Sequence, residues 1–419
     1  MKVLVVGLNY APENIGIAVY TTGMAEALSE GGHHVRVVAG QPYYPAWEIM
    51  DGHNAWSWSR RDENGVRVIR VPHYIPADPT GLKRLLHHAT FAASALVPAL
   101  WQGLTFRPDV VIAVAPSLIG APAARLAGWV AGARNWLHVQ DFEVEAAFAT
   151  GLMKAEGWAA RIARAFEAAV IKSFDLVSAI SPEMCRRLVL KGVRHERVTE
   201  FRNWADIDAI RPMVVASRYR QRWGISSQHV ALYSGNIANK QGIELVIEAA
   251  RRLRDREDLT FVICGQGPNR SRLQAMAAGL DNVQFHDLQP REQLNDLMGL
   301  ATIHLLPQLA GAADLVLPSK LTNMLASGRP VVATAAPGTG LAREVEGCGA
   351  IVEPGNADAF AHAIASLVDD PQAWSAAATT SRNRAEERWS KDMVLAKFGA
   401  AVEMHNPNAP ELARLHESK

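Results

Sequence analysis

Residues 318–332 combine a lysine, a helix start and a buried strand in an order that suits anion binding. Pro318 fits the first turn of a helix because it lacks the N–H group that would go unpaired there, and Gly328 marks the end of that helix. The unpaired N–H groups and the positive dipole end of a helix attract anions, and Lys320 lies beside them. We therefore predict a phosphate site at Lys320.

A second lysine occupies a similar place in the chain. Lys240 follows a predicted strand, residues 229–234, and precedes an amphipathic helix with apolar positions from Ile243 to Leu253. Lys240 could be an ordinary solvated charge at a helix start. Two lysines on equivalent loops of one sheet favour a shared role in binding phosphate.

The elements that must position these lysines form two series of strands and helices. Short apolar runs bounded by glycine or polar residues alternate with helical patterns, as expected of parallel strands buried on both faces. The first series contains strands at 3–7, 35–39, 110–114, 136–139 and 176–180, with an edge strand at 66–71. The second contains strands at 229–234 and 259–264. Such series predict parallel sheets that bind ligands at the carboxyl ends of their strands.

The loop after the first strand argues against a nicotinamide cofactor. Residues 7–16 lack the G-x-G-x-x-G spacing of a dinucleotide-binding turn, and no acidic residue closes the second strand. Gly16 ends this loop and opens a helix at about Ile17. Taken alone, Gly16 could do no more than permit a backbone angle.

Composition narrows the class of protein further. The 43 Lys and Arg residues nearly balance the 42 Asp and Glu residues, so overall charge does not favour nucleic acid. A chain of 419 residues with 49% hydrophobic residues is expected to form two domains. Three widely spaced cysteines suggest reduced thiols in the cytosol, and no apolar signal segment follows Met1.

The segment 311–332, GAADLVLPSKLTNMLASGRPVV, resembles the donor motif P-S-K-x-x-E-x-M-A-x-G-x-P-V-V of retaining GT-B glycosyltransferases. The residues of this segment are similar to those of the branch of colanic-acid and related exopolysaccharide glycosyltransferases, in which an asparagine replaces the motif glutamate. The resemblance implies that Ser319 and Lys320 bind a nucleotide-sugar donor. It covers nearly the whole chain.

The departures from that motif affect the acidic residues. Asn323 stands where the family usually carries the glutamate that binds the donor ribose, and Leu315 stands where its sugar-binding partner would be. Asp314 is the only carboxylate within that segment. Given the resemblance, we predict that Asp314 supplies the missing acid and that Asn323 accepts the ribose hydroxyl.

The resemblance also assigns loops to the donor. Lys240 falls on the lysine of G-R-x-x-x-x-K-G, which grips the donor diphosphate, and Asn236 stands near the place of the arginine. The loop with Gly265 and Gly267 would flank the base, and backbone groups near Leu288 would read the base edge.

The resemblance also assigns roles to two residues of the first series, Gly16 as a donor-binding residue and Asp141 on the acceptor side. The loop ending at Gly16 would approach the donor phosphate and the acceptor. Asp141 is the best match to the aspartate of V-x-D-x-x-x-E and is implied as an acceptor-side or catalytic acid. Asp141 could also be a helix N-cap, and the nearby His138 a satisfied core histidine.

The helical stretch 82–104 is the most apolar of the chain and begins with Lys83 and Arg84. A spanning helix needs about 20 residues with few polar breaks, and this stretch has several. It is interrupted by His87, His88, Pro98 and Gln102. The resemblance implies a helix that rests on the membrane to reach a lipid-linked acceptor, whereas a buried crossover helix is the alternative.

No metal site is expected. Asp206 and Asp208 have the spacing of the metal-binding D-x-D motif of another glycosyltransferase architecture. They lie, however, in the predicted interdomain turn, residues 201–212. No carboxylate or histidine cluster nearby would complete an oxygen-rich shell.

These inferences predict an α/β GT-B protein with two Rossmann-like, doubly wound parallel-sheet domains facing across a cleft. We expect an acceptor domain at 1–203, a nucleotide-sugar domain at 204–389 and a helix with a tail at 390–419. The predicted activity is retaining transfer of a sugar from a UDP- or GDP-linked donor to a lipid-linked saccharide, without a metal cofactor. The expected location is the cytoplasm and the inner membrane face. A non-hydrolysing nucleotide-sugar epimerase and an inactive nucleotide-sugar-binding relative are the alternatives.

Overall fold

The computed structural model describes residues 1–14, 16–149, 156–237, 241–309 and 318–405. The chain forms two compact units. The first contains residues 1–203 and the chain from Leu395 onward, and the second contains Trp204–Val394.

The first unit is built on an eight-stranded sheet with strand order β3-β4-β2-β1-β5-β6-β7-β8. Its strands are β1 (Lys2–Gly7), β2 (His34–Gly40), β3 (Ser59–Glu63), β4 (Val66–Val71), β5 (Val110–Ala115), β6 (Arg134–Val139), β7 (Leu176–Ala179) and β8 (Val198–Glu200). Its helices are α1 (Ile17–Glu30), α2 (Gly81–Thr105), α3 (Ala121–Ala131), α4 (Glu143–Ala149), α5 (Trp158–Lys172) and α6 (Pro182–Leu190). Strand order reverses between β1 and β5, which is where a doubly wound sheet binds ligands.

The prediction of residues 66–71 as an edge strand is wrong. The antiparallel strand β3 pairs with β4 and lies outside it. Its sequence, SRRDE, is charged and mostly exposed, so it has no apolar pattern from which a strand could be predicted. The other paired strands of this sheet run parallel.

Alternate residues of the first sheet point into a core shared with a layer of helices. Leu4 and Val6 of β1 belong to the same buried cluster as Phe91 of α2, Ala124 of α3 and Ile171 of α5. These helices therefore cover one face of the sheet. Small residues let α2 and α3 approach closely, because a Cβ added to Gly103 would lie 2.6 Å from the carbonyl oxygen of Ala127.

The second unit contains a six-stranded parallel sheet with strand order β11-β10-β9-β12-β13-β14. Its strands are β9 (His229–Ser234), β10 (Leu259–Cys264), β11 (Val283–His286), β12 (Ile303–Leu306), β13 (Val331–Thr334) and β14 (Gly349–Val352). The helices are α7 (Arg218–Arg222), α8 (Glu244–Arg252), α9 (Arg270–Met276), α10 (Leu294–Leu300), α11 (Ser319–Ala326), α12 (Gly340–Val345), α13 (Ala357–Asp369) and α14 (Pro371–Trp389).

Both faces of the second sheet are buried. Val230 and Leu232 of β9 join one core cluster, whereas Ala231 and Tyr233 join another. This alternation explains why the strand reads as a continuous apolar run. The predicted α/β class with two doubly wound parallel sheets is confirmed.

The last described helix, α15 (Lys391–Met404), lies within the segment 390–419, where a helix with a tail is predicted. It begins in the second unit, and its residues from Leu395 onward belong to the first. Phe398 of α15 stacks on Phe201, with ring centroids 4.4 Å apart, and also lies against Trp136. Aromatic contacts therefore hold α15 to the first sheet.

Two further features of the described chain concern its environment. None of its helices combines the length and apolar character needed to cross a membrane. Cys185, Cys264 and Cys348 are free thiols.

Candidate functional site

The carboxyl ends of β9, β10 and β11 bring several predicted donor residues to one edge of the second sheet. Ser234 pairs with Cys264, and Cys264 pairs with His286, so the three strands end in register. The loops that follow begin at Gly235, Gly265 and Asp287. Asn236, Gly267 and Leu288 lie in these loops, as the sequence predicts.

The glycines of this edge are required by close contact between two loops. A Cβ added to Gly265 would lie 1.9 Å from the carbonyl oxygen of Gly235, and one added to Gly267 would lie 2.2 Å from that of Ile237. The Ile237 N–H also donates to the Gln266 carbonyl oxygen at 2.8 Å. Gly265 and Gly267 thus have a packing role whether or not they bind a base.

Lys320 lies at the start of α11 and reaches the same edge. Its Nζ donates to the Tyr233 hydroxyl at 2.6 Å and lies 4.3 Å from the centroid of the Tyr233 ring. A Cβ added to Gly235 would lie 2.4 Å from Lys320 Cε, so the glycine makes room for the lysine. Helix α11 ends as predicted, with Gly328 at a φ of 62°.

The other residues predicted to bind the donor differ in position and exposure, and some lie outside the described residues. Asn323 lies one turn after Lys320 on α11 and is partly buried, and Leu288 is 57% exposed. Ser319 is the first residue of α11, but its side chain is not described. Lys240 and Asp314 lie outside the described residues.

Two further polar residues lie at this edge of the second sheet, and the sequence did not predict either of them. Tyr233 reads as one more apolar residue of a buried strand, although its hydroxyl contacts Lys320. Arg270, at the start of α9, donates to the Gly265 carbonyl oxygen at 3.0 Å and forms an ion pair with Asp287. Arginine after a glycine turn is the sequence signal that could have identified the second residue.

In the first unit, Gly16 and Asp141 both lie at carboxyl ends of strands. Gly16 precedes α1 with φ 65° and ψ −145°, a conformation that disfavours any residue with a Cβ. The Tyr44 ring would be 3.5 Å from such a Cβ. Asp141 follows β6, and its charge helps to raise the pKa of Glu143.

Glu143 is a site candidate that the sequence did not reveal. Its carboxylate accepts hydrogen bonds from the backbone N–H groups of Ser117 and Leu118, in the loop after β5. Enclosure of the carboxyl group raises the pKa of Glu143 to about 7, and the charge of Asp141 contributes. Ser117, held by this contact, has a φ of 89°, which is rare for a residue other than glycine.

Glu13 makes the same kind of contact on the other side of this edge. It is buried in the loop after β1, and one carboxylate oxygen accepts from the N–H groups of Tyr43 and Tyr44, both at 2.9 Å. Asn9 donates to the other oxygen at 2.9 Å. Burial raises the pKa of Glu13. Each glutamate therefore ties the loop after one strand to the loop after a neighbouring strand.

His73, His87 and His138 of the first unit are buried and packed as neutral rings. His73 and His87 lie 4.9 Å apart, and Tyr43 contacts both rings. Burial lowers the pKa of His87 to about 4 and that of His73 and His138 to about 3. His138 contacts Ser178 Oγ through Nδ1 at 2.9 Å, which fits a core histidine.

Within the described ranges, no group of three or more His, Cys, Asp or Glu side chains could hold a metal ion. Asp206 instead accepts from the Ala209 N–H at 3.0 Å in a local turn, and Asp208 lies 3.6 Å from Arg211. Metal-independent activity stays a prediction.

Two sequence families match the chain, one on each unit. The family described as glycosyl transferase 4-like domain matches residues 16–204, and the family described as glycosyl transferases group 1 matches residues 216–388. The chain is also 42% identical over 408 residues to the Escherichia coli K12 protein named putative colanic acid biosynthesis glycosyl transferase WcaI. That match covers 95% of this chain and 98% of the relative.

Solved structures with low sequence identity share the fold. The Anabaena protein Alr3699/HepE, in a crystal structure with UDP-glucose, is 16% identical with a TM-score of 0.64, and the match covers 96% of this chain and 99% of that one. WaaG, a glycosyltransferase involved in lipopolysaccharide biosynthesis, is 18% identical with a TM-score of 0.62. That match covers 97% of this chain and 100% of the other.

Proposed function

We propose a specific reaction for this chain, which belongs to the group 1 glycosyltransferases and is therefore a sugar-transferring enzyme of the GT-B fold. The reaction is transfer of a sugar from a nucleotide-diphosphate donor, UDP- or GDP-linked, to a saccharide acceptor with retention of configuration. The similarity to WcaI supports a role in the synthesis of a colanic-acid-like exopolysaccharide. We further propose that the acceptor is lipid-linked.

One observation carries the donor assignment. Lys320 presents an ammonium group at the N-terminus of α11, at the carboxyl edge of the second sheet and beside a turn cleared by Gly235. Developing negative charge on a departing diphosphate is stabilised by such a fixed cation and helix dipole. Lys240, Ser319 and Asn323 complete the proposed donor site, and the UDP complexes of HepE support its class of ligand.

Asp141 and Asp314 are proposed as the acids at the reacting centre. Asp141 lies at the carboxyl edge of the first sheet, which we propose binds the acceptor. Asp314 would support the sugar, because Leu315 and Asn323 leave the motif without its usual acids. The chain's own task is to position the reactants and stabilise the leaving group.

The experiment that tests this function combines purified protein with UDP- and GDP-sugars, with and without a lipid-linked saccharide. A thermal-shift screen of nucleoside diphosphates first identifies the base, since ligand at 100 times its Kd stabilises by about 2.7 kcal/mol. We expect product only when acceptor is present. Lys240→Ala and Lys320→Ala should each weaken diphosphate binding about ten- to a hundredfold. Conversion of donor alone would indicate an epimerase instead.

We also propose that the first unit contacts an anionic membrane surface through α2. One face of this helix is apolar and exposed at intervals of three or four residues, whereas Phe91, Ala95 and Ala99 on its opposite face are buried. The exposed residues include Leu82, Leu86, Val97, Trp101 and Leu104. An amphipathic helix of this kind lies in the membrane interface.

The neighbouring helices α3 and α5 also expose apolar side chains and carry basic residues. Trp129 of α3 and Trp158 of α5 are 72% and 77% exposed, and Arg125 of α3 donates to the Ser173 carbonyl oxygen at the end of α5. Together α2, α3 and α5 carry six basic residues and one acid. That acid, Glu167, is buried and paired with Lys191. Exposed tryptophans with surrounding positive charge fit anionic headgroups.

Sedimentation with vesicles tests the membrane contact. Phosphatidylglycerol vesicles should carry the protein down, and phosphatidylcholine vesicles should carry much less. Replacing Lys83 and Arg84 by glutamate should release the protein from anionic vesicles and leave binding of soluble donor unchanged. The proposal would be contradicted if the protein sedimented with neither kind of vesicle, or if this face mediated self-association in solution. We propose the cytoplasm and the inner membrane face as the location.

A further inference from the structure

The hydroxyl of Tyr233 connects the proposed diphosphate-binding lysine to the loop after β9. Tyr233 is fully buried at the penultimate position of this strand. Its O–H donates to the Asn236 carbonyl oxygen at 2.5 Å, and its oxygen accepts from Lys320 Nζ at 2.6 Å. Lysine, phenol and backbone carbonyl thus form one chain of hydrogen bonds.

Each bond of this chain strengthens the other. A phenol that donates to a carbonyl is a better acceptor for an ammonium group, because hydrogen bonds in series polarise one another at low dielectric. The Tyr233 ring adds a cation–π contact, with Lys320 Nζ 4.3 Å from its centroid. Gly235 leaves the space in which the lysine stem lies.

A lysine side chain loses considerable rotamer entropy when it is fixed, and this loss normally weakens ligand binding. The hydroxyl and the ring of Tyr233 hold the Lys320 side chain in one position. A lysine held in this way binds phosphate oxygens with less loss of freedom than a mobile one.

We propose that Tyr233 is a positioning residue that holds Lys320 ready for the diphosphate of the donor. The proposal rests on the proposed function, because it needs Lys320 to contact the diphosphate. Tyr233 itself does not touch the ligand. It acts through Lys320, so removal of its hydroxyl affects binding of the diphosphate and not binding of the nucleoside.

A double-mutant cycle tests this role. Tyr233→Phe, Lys320→Ala and the double variant are titrated calorimetrically with UDP or GDP, whichever stabilises the wild type, and with uridine or guanosine. We expect Tyr233→Phe to weaken diphosphate binding about three- to tenfold and to leave nucleoside binding unchanged. The double variant should bind the diphosphate as Lys320→Ala does, because the phenol has no further route of action.

Tyr219→Phe is the matched control. Its hydroxyl also bonds within the second unit, to Gln289 at 3.1 Å and Gln293 at 2.8 Å, but Lys320 is not among these partners. The control should keep the wild-type ratio of diphosphate to nucleoside affinity. It shows how far loss of a buried phenol bond changes binding through stability alone.

The outcomes separate the two proposals. Lys320→Ala with wild-type diphosphate affinity would overturn the donor site itself. Weakened binding in Lys320→Ala together with unchanged binding in Tyr233→Phe would overturn only the role of Tyr233. Equal losses for diphosphate and nucleoside in Tyr233→Phe, or a further loss in the double variant, would also overturn it.

Discussion

At the level of single residues, a few polar groups at the carboxyl edge of the second sheet bond to partners that are distant in the sequence. Lys320 is held by Tyr233, 87 positions earlier in the chain, and Arg270 is held by Gly265 and Asp287. An asparagine at position 323 offers a neutral acceptor where an ionised one is usual, and charge-assisted bonds are roughly twice as strong. The ribose contribution to donor binding should therefore be modest.

The first prediction separates the two residues that replace the usual acids. Asp314→Ala should lower turnover far more than nucleotide affinity, whereas Asn323→Ala should weaken ribonucleotide binding and keep the discrimination among sugars. Steady-state kinetics beside a melting curve measures both. If Asp314 only caps a helix or loop, its loss costs about 1 kcal/mol of stability and activity follows the folded fraction. A stable and fully active Asp314→Ala protein removes the catalytic assignment.

The second prediction concerns the pH dependence of stability caused by Glu143. Its pKa is about 7 in the folded protein against an ordinary value of 4.5, so the unfolded chain loses this proton first as pH rises. The contribution of Glu143 to the free energy of unfolding is therefore full below about pH 4.5 and decreases up to about pH 7.

Glu143→Gln removes this decrease. The stability of the variant relative to wild type should improve between pH 5 and pH 8, by at most roughly 3 kcal/mol. Thermal melts across that range measure the trend, and Glu156→Gln controls for loss of an exposed carboxylate. A difference between variant and wild type that does not depend on pH contradicts the assigned pKa and its cause.

At the level of elements, the loops at the carboxyl edges of the two sheets are held together by different contacts. In the second unit, glycines let the loops after β9 and β10 pack backbone against backbone. In the first unit, Glu13 and Glu143 bind pairs of consecutive backbone N–H groups in neighbouring loops. Each device satisfies buried backbone groups that a loop would otherwise leave unpaired.

The third prediction tests the glycine packing. Gly265→Ala should destabilise the protein by at least about 2 kcal/mol, because its methyl group would overlap the Gly235 carbonyl oxygen. Diphosphate affinity should fall with it, since the loop after β9 would move. Gly399→Ala, in α15 with no atom within 4 Å of the added carbon, should instead stabilise by up to about 1 kcal/mol. Urea melts of both variants decide the matter, and equal stabilities would refute the contact.

At the level of the whole molecule, the positive and negative charges nearly balance, but they are unevenly distributed. The helix layer of the first unit is basic and apolar at its surface, whereas its carboxyl edge carries the buried acid Glu13 and the half-buried acid Glu143. Lys320 and Arg270 place positive charge at the carboxyl edge of the second sheet. Net charge therefore says little about the ligands, which respond to the local field.

The fourth prediction concerns metal-independent transfer, which the sequence analysis predicts. Transfer activity should survive treatment with a chelator, because fixed cations and a helix N-terminus stabilise the diphosphate in place of a divalent ion. Activity is measured after dialysis against EDTA, with and without added Mg²⁺ or Mn²⁺. Loss of transfer on chelation and its recovery on adding the ion would require a metal site that includes residues outside those described.

Local patterns in the sequence predicted the strands of the first sheet other than β3 and β8, the strands β9 and β10 of the second sheet, and the helix that carries Lys320. These features follow from apolar periodicity, helix stop signals and a motif of adjacent residues, all of which are readable without knowing the fold. They also placed Gly16, Asn236, Gly265, Gly267 and Leu288 at carboxyl ends of strands, where the structure has them. Their binding roles remain predictions.

Tertiary structure alone decided the contacts between segments distant in sequence. The charged strand β3 is a strand because it pairs with β4, and its own residues carry no pattern. Glu13 and Glu143 look like ordinary loop acids until the neighbouring strands bring backbone N–H groups to them. Tyr233 reads as core until folding places Lys320 against its hydroxyl. Hydrogen-bond partners from remote segments are a property of the folded chain, because only the topology sets which loops meet.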